Sequence, residues 1–151
     1  MAIGIMIADR FYWNLDYRVG PGGANKIDDV QLVQLAYVCL SDSKSPDVPA
    51  DLKALASKID PRDSYSGRPD ENLTTLIRLH QKYRGGTQDG VISPIHNPSG
   101  RYTSTMTWMM MALDQNIFDK LGGDWPHIDK HFECPSELKQ VAMTAFKPLG
   151  N

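Results

Sequence analysis

The sequence predicts a mainly α-helical fold: a small three-helix bundle with long ordered loops and a helical extension on its C-terminal side. Three observations predict it. Apolar residues recur at helical spacing in three separate stretches, each with acidic or hydroxyl residues suited to capping at its start. The segments between them are rich in Gly, Pro, Asp and Ser, which make turns rather than strands. The chain has 151 residues, 41% hydrophobic and 23% charged, which is enough to bury one core without staples.

Residues 1–17 are expected to form an N-terminal arm. Their apolar start, Met1 to Ala8, lacks a basic leader and runs into Asp9 and Arg10, so no secretory signal is expected. Synthesis in the cytoplasm follows as the expected location, with delivery to the periplasm or wall left to a dedicated apparatus or to lysis. Gly20 to Asn25 is too glycine-rich for regular structure. After it, Asp28 or Asp29 is expected to cap a helix in which Val30, Val33, Tyr37 and Leu40 form one stripe and Leu32, Leu35 and Cys39 a second. This helix should be central.

Leu52, Leu55, Ala56 and Ile59 predict a short amphipathic turn or two, stopped by Pro61. Asp70 caps the next helix, with Leu73, Leu76, Ile77, His80 and Tyr83 on one face and Gly85-Gly86 as its stop. Thr87 to Tyr102 reads as a long ordered loop or a small extended ribbon. Thr103 or Ser104 then caps a helix whose inner side holds Met106, Met109, Met110, Leu113 and Ile117, closed by Gly122-Gly123. The tail restarts at Asp124, with Pro126 at a first-turn position. Pro135 opens a last amphipathic segment through Leu138, Val141, Ala142 and Phe146. The expected core comprises Val30, Val33, Leu73, Leu76, Ile77, Met106, Met110 and Leu113.

A formal charge of -2 supplies no field for a polyanion, so nucleic acid is not an expected partner. No run approaches the ~18 apolar residues that cross a bilayer. Cys39 and Cys134 are expected to be reduced. Asp124, His127, His131 and Cys134 form the most metal-like cluster, since histidines four apart share a helix face. The Glu of a hydrolytic zinc motif is absent between them, and no metal or other cofactor is expected. No elbow motif surrounds any serine or cysteine, so no catalytic residue is assigned. His80, on an apolar face, reads as a packed core residue. Asp28-Asp29 and Asp70-Glu71 stand at helix starts, where the macrodipole favours negative charge. Gly20-Pro21-Gly22-Gly23 lacks a following Lys-Ser or Lys-Thr and reads as a turn, not a phosphate cradle.

One ordered set of motifs remains. Val19-Gly20-Pro21-Gly22-Gly23-Ala24-Asn25 leads into Asp29-Val30 and Val33-Gln34. Gly67 precedes Leu73 to Gln81. Gln88-Asp89-Gly90-Val91-Ile92-Ser93-Pro94 then leads to Ser99-Gly100 and to Thr103 before Met106 to Leu113. Over residues 18–118 this order resembles the peptidoglycan-binding-like domains of bacterial and phage cell-wall proteins. The sequence departs from the family pattern in its long insertion at 46–65, in His80-Gln81 where Phe-Gln is usual, and in the extra tail from Phe118.

The resemblance implies a three-helix wall-binding module at 18–118, with 119–151 packed on it as a helical extension. It implies non-catalytic binding of a peptidoglycan glycan or stem peptide, as a stand-alone or accessory module. The expected binding residues are Tyr65, Arg68, Asp89, Arg101 and Tyr102. Tyrosine presents a flat face with a hydroxyl to a sugar ring, and arginine grips carboxylates bidentately. A second reading keeps the fold but makes it a protein-interaction module: an adaptor, chaperone-like or immunity partner of a secreted antibacterial toxin or of a secretion-apparatus protein.

Overall fold

A computed structural model describes residues 2–7, 9–61, 69–95 and 109–145, and these are mainly helical. The expected N-terminal arm is in fact a β-hairpin: β1, Ile3–Ile7, pairs antiparallel with β2, Arg10–Asn14, from Ile3↔Asn14 to Ile7↔Arg10. Isoleucine and aromatic side chains suit a pleated, half-buried surface, and Asp9 with φ 64 supplies the tight reversal. Gly4 leaves room for the Phe11 ring. A Cβ there would sit 2.3 Å from Phe11 Cζ. Phe11 in turn meets Trp13 edge-on, with ring centroids 5.2 Å apart.

Helix α1, Ile27–Ser41, is buried without interruption from Asp29 to Leu40, which is why it shows two apolar stripes instead of one. It packs against α2 (Ala50–Ala56), α4 (Met109–Leu121) and α5 (Ser136–Ala145). Neither Asp28 nor Asp29 is its N-cap. That position is Lys26, with no side-chain cap. The two carboxylates instead hold the N-terminal segment. Asp28 accepts the Ala2 backbone N–H, and Asp29 accepts those of Asp16 (3.1 Å) and Tyr17 (3.0 Å). Both still lie in the first turn, where the macrodipole favours them.

Helix α3, Glu71–Tyr83, follows its sequence signals closely: Asp70 Oδ1 accepts the Leu73 N–H at 2.8 Å, and Leu73, Leu76, Ile77, His80 and Gln81 are buried. Beyond its end, Gly86 N–H returns to the Gln81 carbonyl at 3.1 Å. Helix α2 packs on α3, and the Tyr83 hydroxyl donates to Asp51 at 2.7 Å between them. Helix α4 buries Met110, Leu113, Asp114 and Ile117 and lies against α1 and β2.

The segment after α4 does not restart as an α-helix at Asp124. Gly122–Asp124 and Ile128–Lys130 are single 3-10 turns, with Pro126 between them. Without its own N–H, Pro126 donates nothing to a helix here, but its carbonyl accepts Trp13 Nε1–H at 2.8 Å and the Ile128 N–H at 2.9 Å. Helix α5 does follow Pro135. Buried Gln31 of α1 docks its start, accepting the Leu138 N–H and donating to Glu137. Val30, Val33, Leu73, Leu76, Ile77, Met110 and Leu113 are all fully buried; Met106 lies outside the described residues, as do Thr103 and Ser104. Among the described residues, no helix is long and apolar enough to cross a membrane.

Candidate binding site at the joined loops

The glycine-rich loop before α1 and the Asp-Gly turn after α3 are joined by an isolated antiparallel bridge. Val19 N–H donates to the Ile92 carbonyl at 3.0 Å and Ile92 N–H returns to Val19 at 2.8 Å. Gly20 makes the approach possible. Its φ is 123, and a Cβ would lie 2.2 Å from the Gly90 carbonyl oxygen.

Two buried or half-buried amides close the loops on themselves. Asn25, at φ 51, accepts the Gly20 N–H at 2.7 Å and donates to the carbonyls of Gly20 and Gly23. Gln81, in the last turn of α3, brackets the second loop. Its Nε2 donates to Asp89 Oδ1 (3.0 Å) and to the Val91 carbonyl (2.9 Å), and its Oε1 accepts the Gly90 N–H (2.9 Å). Nearby, Asn14 ties β2 to Ile95 by accepting its N–H at 2.8 Å and donating to its carbonyl.

Of the five predicted binding residues, Asp89 stands exposed at this junction; Tyr65, Arg68, Arg101 and Tyr102 lie outside the described residues. Asp89 shapes its turn, accepting the Val91 N–H at 2.9 Å. That bond, helped by the Gln81 amide and the Arg18 charge, outweighs the opposing desolvation and holds the carboxyl below the usual carboxylate range. It is therefore ionised at neutral pH and unsuited to act as a general acid. The junction also carries residues that sequence reasoning passed over: Tyr17, 48% exposed, Arg18, and Lys26, whose Nζ lies 5.6 Å from the Tyr17 ring centroid. Their signal was adjacency, since Tyr17-Arg18 immediately precedes Val19-Gly20.

The remaining chemical candidates have structural partners. His80 is buried with Nδ1 2.9 Å from the Tyr37 hydroxyl, and burial pulls its pKa down to about 4. The same burial pushes Tyr37 up, so both are neutral at pH 7. Burial pushes the thiols of Cys39 and Cys134 up to about 12, which leaves neither as a ready nucleophile. In the predicted metal cluster, His131 Nδ1 accepts the Glu133 N–H at 3.0 Å, His127 lies 4.0 Å from Asp129, and Lys130 lies 3.5 Å from Asp124. Among the described residues, no three His, Cys, Asp or Glu side chains converge on a point that an ion could occupy.

Compared with family models, curated proteins and solved structures, the chain finds no match in any of the three.

Proposed function

We propose that the chain is a non-catalytic module that binds peptidoglycan, its glycan or its stem peptide, through the surface where the glycine loop and the Asp-Gly turn meet. The observation that supports this reading is the Gln81 bracket together with the Val19–Ile92 bridge. These bonds make the motifs that carry the family resemblance, separated by some seventy residues of chain, contiguous in space. The exposed side chains at the junction suit such a ligand. Tyr17 offers an apolar face with a hydroxyl, and Arg18 and Lys26 offer cations to stem-peptide carboxylates.

The test is co-sedimentation of the full chain with purified, insoluble cell wall. The parent protein is expected in the pellet, and Tyr17→Ala with Arg18→Ala is expected to leave it soluble while the thermal midpoint changes little. Arg101→Ala with Tyr102→Ala should act in the same direction. A parent protein that stays in the supernatant overturns the reading.

A second reading, interaction with a secreted toxin or secretion-apparatus protein, is favoured by the apolar surface of the C-terminal extension. Phe132 is 79% exposed, and Met143 of α5 and Met6 of β1, on elements in contact, are both more than half exposed. Phe132→Ser distinguishes the two, because it removes the most exposed apolar side chain of the extension and leaves the loop junction untouched.

A further inference from the structure

At the opposite end of α1 from the joined loops, roughly 22 Å along a helix of 15 residues, the C-terminal turns of α1 and α4 border a cavity of about 360 Å³. Its volume falls within the range of small-molecule sites. The charges that line it are balanced: Asp42 and Asp119 against Lys44 and Lys120, with Asn116 as a neutral donor and acceptor; Glu133, outside the lining, adds a negative charge near enough to act on Cys39.

Each charge has a different freedom. Lys120 Nζ lies 3.4 Å from Asp42 Oδ2, but the two side chains are 40% and 45% exposed, so water screens the pair and a ligand can exchange with it at little cost. Asp119 is fixed by the Gln115 amide, which donates to its Oδ1 at 2.7 Å. Lys44 stands on the exposed loop just after α1. Cys39, 3% exposed, forms part of the wall.

This balance discriminates among ligand classes. A lone cation meets Lys44 and Lys120, a lone anion meets two carboxylates, and an apolar molecule strips water from four charged groups without replacing it. A molecule bearing both charges on one carbon answers all of them. We propose that this cavity binds the zwitterionic head of an α-amino acid, its ammonium between Asp42 and Asp119 and its carboxylate on Lys44 and Lys120. The head comes either from a free amino acid or from a diamino acid attached through its far end. The inference is independent of the wall-binding surface, since it concerns other residues.

The test is an amide-resolved NMR titration of the full chain with L-norleucine, pentylamine and hexanoate, three probes of similar chain length. Norleucine is expected to shift the amides of residues 43–45 and 116–120 with a dissociation constant of order 1 mM or tighter. Each singly charged analogue is expected to bind at least ~10-fold more weakly, having lost one charge-assisted contact. Nε-acetyl-lysine separates the two sources: binding like that of norleucine admits a head carried on a chain, and exclusion restricts the site to free amino acids. Lys44→Glu is expected to reverse the order, so that pentylamine binds better than norleucine, an outcome a purely structural lysine does not produce. Equal binding of the three probes, or no shift with norleucine at ~10 mM, overturns the proposal.

Discussion

The loop junction and the α4 side of the molecule treat buried polar groups in opposite ways. At the junction, Asn14, Asn25 and Gln81 each use both ends of the amide, and the backbone they hold has no regular ladder of its own. Across the core, Trp125 Nε1, Asp129 Oδ1 and His131 Nε2 are buried without a hydrogen-bond partner among the described residues, and completely buried Asp114 has little beyond the Trp13 backbone N–H to offset its desolvation. An amide that satisfies a loop fixes one conformation, because any other leaves donors stranded in low dielectric. A buried group without such a partner costs its desolvation and fixes little. The first arrangement stiffens a surface, and the second lowers stability.

The largest effect should come from breaking the clamp. Gln81→Leu keeps the volume, removes three hydrogen bonds and strands the buried Gly90 N–H, so a loss of ~2–4 kcal/mol is expected in urea unfolding. A loss below ~0.5 kcal/mol would place the loop's rigidity elsewhere.

The pH dependence sharpens the contrast, because the two sides carry groups of opposite sign. His80 folds with its pKa lowered from 6.5 to about 4, so the unfolded chain binds the proton first as the pH falls. Its contribution is fully present above pH 6.5 and is lost between pH 6.5 and 4, about 3 kcal/mol in all. Unfolding measured at intervals from pH 7 to 4 should show this slope, and His80→Phe should remove it. Asp114 runs the other way. Complete burial raises its carboxyl well above 3.8, against the weaker pull of the Trp13 backbone N–H and the Arg10 charge. It stabilises the folded state at acid pH, and that contribution is lost as the pH rises through the folded value. Asp114→Asn is therefore expected to gain ~1–2 kcal/mol at pH 7 and less at pH 4. Equal effects at both pH values would mean that Asp114 is ionised throughout.

Much of the helical frame was legible in the chain, and the reasons it was legible also mark where reading stopped. In α3 a cap, a period and a stop coincide within sixteen residues, so each local signal confirmed the next. The β-hairpin carried a signal too, Ile and aromatic runs on either side of Ala8-Asp9, but an apolar start short of alternation reads equally as an arm. The roles of Asp28 and Asp29 were hidden for a different reason. A carboxylate at a helix start is explained locally by the macrodipole, and nothing local shows that it holds backbone more than ten residues away. Pro126 was misread because a Pro just inside a start opened by Asp124 matches the first turn of a helix, whereas the Trp13 indole that uses its carbonyl lies on another element. At the candidate site the motif order pointed to Gln81 and Asp89, but only the folded geometry joined them to Tyr17, Arg18 and Lys26.

The smallest effect is expected at Asp89, and it separates turn shape from charge. Asn at this position keeps an oxygen where Oδ1 accepts the Val91 N–H and the Gln81 amide, so the turn retains its geometry. What it loses is the charge that those donors and Arg18 favour. Since Asp89 is exposed, water screens most of that attraction, and Asp89→Asn should cost no more than ~0.5 kcal/mol at pH 7. The sign of the pH effect is fixed by the lowered pKa. The contribution is present above 3.8 and is lost as the pH falls through the folded value, so parent and variant should converge in acid. A stability loss comparable to that of Gln81→Leu would mean that the carboxylate, rather than the amide that brackets it, holds the loop.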